Sequence, residues 1–353
     1  MRVFITGICG FAGNAIARGL LETMDGVKIV GLDNFSRRGS ETNKGPLEEK
    51  GIEVRRGDIR RPEDIEGAGA ADWVIDCAAN PSVLAGADGV TGPRDLLDHN
   101  LVGTMNLLEY CRVRGAGFIL LSTSRVYSIT PLAGMKVDVV DGAFAPRIEV
   151  PSPALSARGI TEEFSTEPPL SLYGSSKRCS ELLALEYGGM FGFPVRINRC
   201  GVLAGAGQFG KADQGIFSYW IHAWARRRGL KYIGFGGTGH QVRDCLHPRD
   251  IVPLLARQMR EPGRAVAAVQ NIAGGAGNAM SLARLSEWCR DRLGAHTVEP
   301  ELAARAFDIP WMVLDCARAE RDWEWRPTTR LEDILEEIRA HALSNPDWLG
   351  MTS

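Results

Sequence analysis

One stretch at the start of the chain limits its choice of fold more than any other. Arg2-Val3-Phe4-Ile5-Thr6 is a short apolar run that reads as a buried strand, and it passes directly into Gly7-Ile8-Cys9-Gly10-Phe11-Ala12-Gly13. A helical pattern, residues 14–21, follows without a break. Glycines let the chain turn tightly and let a ligand lie against bare backbone. The helix opens with unpaired N–H groups and the positive end of its dipole, which suits a phosphate. Strand, glycine loop and helix in that order is the setting for a dinucleotide, although the spacing is G-x-x-G-x-x-G and not G-x-G-x-x-G. Gly7, Cys9, Gly10, Phe11 and Gly13 are the candidate residues of that loop.

A second strand, residues 27–32, ends at Asp33, twenty residues past Gly13. A carboxylate there is placed for ribose hydroxyls and repels a 2′-phosphate, which favours NAD over NADP. Arg37 and Arg38 close behind pull the other way. Further strands are expected at residues 53–56, 73–77 and 118–121, with a helix over 100–112. Such alternation predicts an α/β fold with a doubly wound parallel Rossmann sheet. Asp58 and Ile59 leave the third strand and would flank an adenine, with an ordinary strand-end turn as the alternative. Ala78 and Ala79 leave the fourth and would let a cofactor lie against the backbone. Ser122, Thr123 and Ser124 end the fifth, where hydroxyls face the ligand crevice of an open parallel sheet. The plainer alternative is that they satisfy turn backbone.

Composition excludes several classes. A chain of 353 residues, 44% hydrophobic and 24% charged, is an ordinary globular composition. A net charge of −2 gives no electrostatic case for nucleic acid or an anionic membrane as partner. No apolar run reaches the length of a membrane span. The N-terminus lacks the features of a secretion signal, so a cytoplasmic protein is expected. The eight cysteines are scattered, none in C-x-x-C or at zinc spacing with histidine, and no metal site is expected.

Tyr173-Gly174-Ser175-Ser176-Lys177 sets a phenol and an ammonium one helical turn apart. A phenol titrates near pH ~10 and is a poor base at neutrality. A cation beside it, together with a positive nicotinamide, favours the phenolate. Lowering the phenol by about three pK units takes roughly 4 kcal/mol. Alone, such a pair is most often a surface lysine beside a half-buried tyrosine. Its weight comes from the motifs around it.

Thr6-Gly7-x-x-Gly10-Phe11-x-Gly13, Ser122-Thr123-x-x-Val126-Tyr127 and Tyr173-x-x-x-Lys177 occur in that order. Together they resemble the extended short-chain dehydrogenase/reductase family of nucleotide-sugar epimerases and dehydratases, over nearly the whole chain. Residues 32–39, 159–162, 207–209 and 239–250, with Asp213-Gln214-Gly215, are similar to that family's CDP-paratose 2-epimerase branch. The resemblance implies that Thr123, Tyr173 and Lys177 are catalytic, with Lys177 gripping the nicotinamide ribose. It implies NAD contacts from the glycine loop, Asp33, Asn34, Ser36, Arg37, Asp58 and Ile59. It adds Ala78, Ala79 and Asn100, and Arg199 and Cys200 at the nicotinamide end. It places a nucleotide-diphosphate sugar, CDP-linked by preference, against Asn80, Ser124, Arg125, Gln208, Phe209, Gln241 and Arg243. A structural pairing of Arg243 with Asp244 is the alternative for that arginine.

Three departures qualify the likeness. Dehydratases of the family carry Asp-Glu after the catalytic threonine, where this chain has Ser124-Arg125. Val126-Tyr127 is followed by Ser128 and not glycine. Pro310 stands where relatives often have a diphosphate-binding arginine, leaving more of that task to Arg243.

The expected organisation is a cofactor domain over 1–195, with a lid over 131–169, and a smaller substrate-binding lobe over 196–353. Some elements of the latter return to the first domain. The implied chemistry is epimerisation through a keto-sugar on retained NAD. A 4-epimerase, a decarboxylase or reductase, and a non-catalytic NAD sensor are the alternatives. A homodimer is expected through helices near 100–112 and 175–187.

Overall fold

A computed structural model of the chain describes residues 1–85, 92–148, 152–211 and 214–352. Asp213 and residues 149–151 of the expected lid lie outside the described residues. The strands are β1 (Arg2–Thr6), β2 (Lys28–Asp33), β3 (Glu53–Arg56), β4 (Trp73–Asp76) and β5 (Gly117–Thr123). With strands Val195–Cys200 and Val269–Ile272 they form one seven-stranded parallel sheet. Its order is Val269–Ile272, Val195–Cys200, β5, β4, β1, β2, β3. The boundary expected after residue 195 therefore falls at a strand of this sheet, and the cofactor domain regains residues 269–272 from later in the chain.

Alternate residues of the strands feed two cores, as period-two geometry requires of a sheet covered on both faces. Val3 and Ile5 join Ile16 and Leu20 of helix Phe11–Thr23 on one face. Phe4 joins Leu107, Leu108 and Tyr110 of helix Gly103–Arg114 on the other. A third core lies in the second lobe. There Phe217, Trp220 and Trp224 of helix Ile216–Ala225 pack on Trp288, Ile334 and Ile338. That lobe carries its own small sheet of Val202–Leu203, Val242–Leu246, Ala279–Ser281 and Trp311–Met312.

None of the described residues of 131–169, where a lid is expected, lines either cavity of the site. They brace the two lobes instead. A hairpin of Val137–Val140 and Ala143–Pro146 docks through Phe144 N, which donates to the His240 carbonyl at 2.8 Å. Ile160 exchanges backbone hydrogen bonds with Val313 and Asp315, both 2.8 Å. Glu162 accepts from Asn271 N, also at 2.8 Å. A proline-rich segment without strong periodicity thus becomes ordered by pairing with backbone from elsewhere, which local sequence pattern does not encode.

Helix Leu172–Phe191 lies against β5 and is fixed there by a buried charge. Glu181, with no exposed surface, accepts from Ser122 Oγ at 2.6 Å. It also takes Arg199 Nε at 3.0 Å and Nη2 at 2.7 Å. Removing one partner of such a pair strands the other charge in the interior. Arg199→Met is expected to cost about 3–5 kcal/mol of unfolding free energy. Urea denaturation reads this directly, and a midpoint like the wild type's would refute the assignment.

Candidate active site

The cleft begins at the glycine loop. Gly7 has φ +60°, and a Cβ on Gly13 would lie 2.2 Å from the Gly7 carbonyl oxygen, so only glycine closes this turn. No side chain caps the helix that starts at Phe11, which leaves its first N–H groups facing the cavity. From there a cleft of about 380 Å³ runs past Asp33 and Asn34 and under Ala78 and Ala79 to Thr123, Tyr173 and Lys177. Asp33 accepts from Cys9 N at 2.9 Å and Phe35 N at 2.8 Å. Burial holds its carboxyl above the ordinary value, with those N–H groups opposing.

Tyr173 and Lys177 sit on the first turns of helix Leu172–Phe191. Ser171 caps it, its Oγ accepting from Gly174 N at 3.1 Å. Gly174 is required where it stands: a Cβ there would lie 2.3 Å from the Arg125 carbonyl oxygen. The helix can thereby press against the turn after β5, bringing the Thr123 hydroxyl onto the Tyr173 phenol. Burial pushes that phenol up, the Thr123 hydrogen bond pulls it down, Cys200 raises it and the Arg125 guanidinium lowers it. Arg125 is a cation acting on the phenol that the sequence reading did not assign to it. The Lys177 charge falls on the thiols of Cys77 and Cys200, both raised by burial, Cys200 to about 12.

A smaller cavity, about 140 Å³, opens from the same cleft between Arg125, Val202 and Gln214. Arg125, Arg243 and Arg305 converge on it, with Asp308 as the one carboxylate among the described residues of its wall. Arg243 Nη2 donates to Asp308 Oδ1 at 2.9 Å, and Arg125 Nη1 to the Phe307 carbonyl at 3.3 Å. Guanidinium groups on one wall offer paired N–H donors that suit the oxygens of a diphosphate. Beyond them lie Phe217, Met280 and Leu282, an apolar floor, and Gln241, whose buried Oε1 has no partner among the described residues.

A model of the family described as "NAD dependent epimerase/dehydratase family" matches residues 3–273. The chain belongs to the NAD-dependent epimerase/dehydratase family. It is 27% identical over 344 residues to the CDP-paratose 2-epimerase of Salmonella typhi, covering 96% of this chain and 98% of that protein. It is 26% identical over 353 residues to the UDP-glucose 4-epimerase of Corynebacterium glutamicum, covering 96% and 95%. The fold matches the Bacillus cereus UDP-glucuronic acid 4-epimerase solved with UDP-glucuronic acid and NAD, at TM-score 0.78 and 22% identity over 98% and 99% of the two chains. It also matches the Thermus thermophilus UDP-glucose 4-epimerase, solved with NAD, at TM-score 0.75 and 23% identity over 97% and 99%.

The cofactor of this family member is NAD, and the residues present fit it. The bare glycine cradle and uncapped helix suit the pyrophosphate, and Asp33 lies along the same wall. Arg37, one of the two arginines that argued for NADP, donates to Gln214 Oε1 at 3.1 Å and to the Phe209 carbonyl. Its guanidinium is committed to protein acceptors.

Most residues expected from sequence line one of the two cavities, including Ser36, Ile59, Ser124, Gln208 and Phe209. Five do not. Cys9 is buried beneath the loop. Asp58 holds Asn34 and Arg60, with burial opposing and the Arg60 hydrogen bonds carrying its carboxyl well below the usual range. Asn80 is clamped through its backbone by Asn100, whose Nδ2 also donates to Ser176 Oγ at 3.2 Å. Arg199 is spent on Glu181 and Tyr127. Arg243 pairs with Asp308 and not with Asp244, which instead accepts from Leu314 N at 3.0 Å. Sequence reasoning missed Arg305, Phe307 and Asp308. The stretch was noted only for Pro310, yet its arginine five residues earlier supplies the charge.

Arg125→Met removes the guanidinium that faces Tyr173 from the β5 turn, leaving Thr123 and Cys200 as the groups acting on the phenol. Its base form then needs a higher pH. The acid limb of kcat/KM is expected to move upward, with Arg125→Lys between. An unmoved acid limb would show that Arg125 does not act on the phenol.

Proposed function

We propose that this protein epimerises one carbon of a nucleotide-diphosphate hexose by oxidising it and reducing it again from the opposite face. The observation that carries this reading is the distribution of carboxylates. Among the described residues lining the two cavities they are Asp33, tied to backbone N–H groups, and Asp308, paired with Arg243. Neither stands free beside Tyr173, where a 4,6-dehydratase needs an acid–base pair for the sugar's C5 and C6. Arg125 occupies that place and, though burial brings it down to about 10, stays a cation at neutral pH.

Tyr173 as phenolate takes the proton of the sugar hydroxyl, with Thr123 sharing the hydrogen bond. NAD, held along the glycine loop and Asp33, would supply the acceptance and return of hydride at that carbon. Arg243 and Arg305 hold the diphosphate while the keto-sugar turns over. Tyr173 then returns its proton to the oxygen, and chain and cofactor end as they began. A CDP-linked sugar inverted at C2 is the preferred substrate, on the likeness to the CDP-paratose 2-epimerase. A UDP-sugar 4-epimerase is the second reading, favoured by the 4-epimerases among the similar proteins.

Purified protein given CDP-, UDP-, GDP- and dTDP-hexoses, without added NAD, should invert a single carbon of one of them with no net change at 340 nm. Tyr173→Phe should lower kcat by at least about 10³-fold while bound NAD stays in place. Full activity in that variant, or stoichiometric consumption of reduced cofactor, would overturn the proposal.

We also propose a homodimer through helices Gly103–Arg114 and Leu172–Phe191, which leave Met105, Val113, Leu182, Met190 and Phe191 exposed. Light scattering should give twice the chain mass of 38.4 kDa. Phe191→Asp should shift that towards one chain, and a wild-type monomer would refute it.

A further inference from the structure

Three distant parts of the chain meet at one lip of the cofactor cleft. Arg37, from the loop after β2, reaches across to Gln214 and the Phe209 carbonyl in the second lobe. Its guanidinium carbon lies 6.0 Å from the centre of the Phe209 ring. Phe209 in turn stacks on Trp348, ring centres 5.6 Å apart and planes 16° from parallel. Trp348 Nε1 donates to the Gln208 carbonyl at 2.9 Å, so the indole is held at both its face and its edge. Gly39 lets the layers approach: it has φ +90°, and a Cβ there would lie 2.9 Å from Thr352 Cγ2. Helix Trp348–Thr352 thus backs the contact from behind.

Arg37, Gln208, Phe209 and Gln214 all face the cleft, on the same side as Asp33 and Ser36. Trp348 does not line it. The chemistry at Tyr173 takes place at the opposite end, so the contact has no part in proton or hydride transfer. It does span the cleft from one lobe to the other. Arg37 and Phe209 line the same cleft as the glycine loop and Tyr173, so the contact borders the space that a dinucleotide would fill.

We propose that Arg37, Phe209 and Trp348 form a latch that keeps NAD in place between turnovers, with the C-terminal helix holding it shut. The latch deepens the proposed cycle, in which the cofactor is restored each time and has no need to exchange. Trp348 is a positioning residue here: it acts on NAD only through Phe209. Cofactor residence time then depends on how firmly the aromatic stack holds, and not solely on hydrogen bonds to the dinucleotide.

The test measures NAD release without any sugar, so it is independent of which nucleotide sugar is turned over. Protein freed of unbound cofactor is mixed with ethanol and alcohol dehydrogenase, which convert each released NAD into a signal at 340 nm. Trp348→Ala is expected to release NAD at least about tenfold faster than wild type, and Trp348→Phe, which keeps a stackable ring, to release it more slowly than the alanine variant. Arg37→Met, which leaves the aromatic core intact, should also speed release and decides the matter if Trp348→Ala does not fold. Excess NAD should restore the turnover of Trp348→Ala. Release at the wild-type rate from the folded Trp348→Ala, or from Arg37→Met in its place, would overturn the latch, as would wild-type protein that keeps no NAD through purification. Failure to turn over any nucleotide sugar would instead sink the proposed function and leave the release rates standing.

Discussion

The carboxylate of Glu181 holds the two halves of the proposed catalytic apparatus in register. Thr123 comes from the end of a strand, Tyr173 and Lys177 from a helix, and no local rule sets the distance between them. Glu181 does so by taking a hydroxyl from Ser122, beside Thr123, and a guanidinium from Arg199 on the neighbouring strand. A charge this deeply buried is tolerable only with its partners in place. Alternative positions of the helix therefore separate charges in a medium that screens them poorly. The Thr123–Tyr173 contact inherits its precision from that penalty.

Around this fixed point the site is divided by charge. The cofactor end depends on backbone: bare N–H groups at the glycine loop and Asp33, itself held by amides. The end proposed for the nucleotide depends on side chains, among them Arg125, Arg243, Arg305 and Asp308. Arg125 belongs to both, since it lines the two cavities and lowers the phenol between them. One substitution relative to the dehydratase pattern thus does two things. It removes a carboxylate that elimination needs, and it adds a cation that proton abstraction from a hydroxyl can use.

How much of this was legible in the sequence depended on the range of the interaction. The glycine loop, Asp33, Thr123 and the Tyr173–Lys177 spacing belong to local motifs, and the structure brings them to one cleft. Asn100 and Arg199 were assigned to the cofactor because their position in the chain is right. Their partners, Asn80, Ser176 and Glu181, lie on other elements and were invisible. Arg305 escaped notice because a loop with positive φ at Phe307 sets which side chains turn inward, and periodicity says nothing about such a loop. The bracing by residues of 131–169 was not legible because its hydrogen bonds run to residues near 240, 271 and 313–315.

The strand Val269–Ile272 has a consequence for synthesis. It forms the outer edge of the cofactor sheet beside Val195–Cys200, yet most of the second lobe's first half precedes it in the chain. While the protein is being made, the sheet must wait with that flank open until more than two hundred and sixty residues have left the ribosome. An unpaired strand edge is a template for association with other chains. The moment of greatest exposure to misassembly thus comes late in translation, after the glycine loop and the catalytic helix have already emerged.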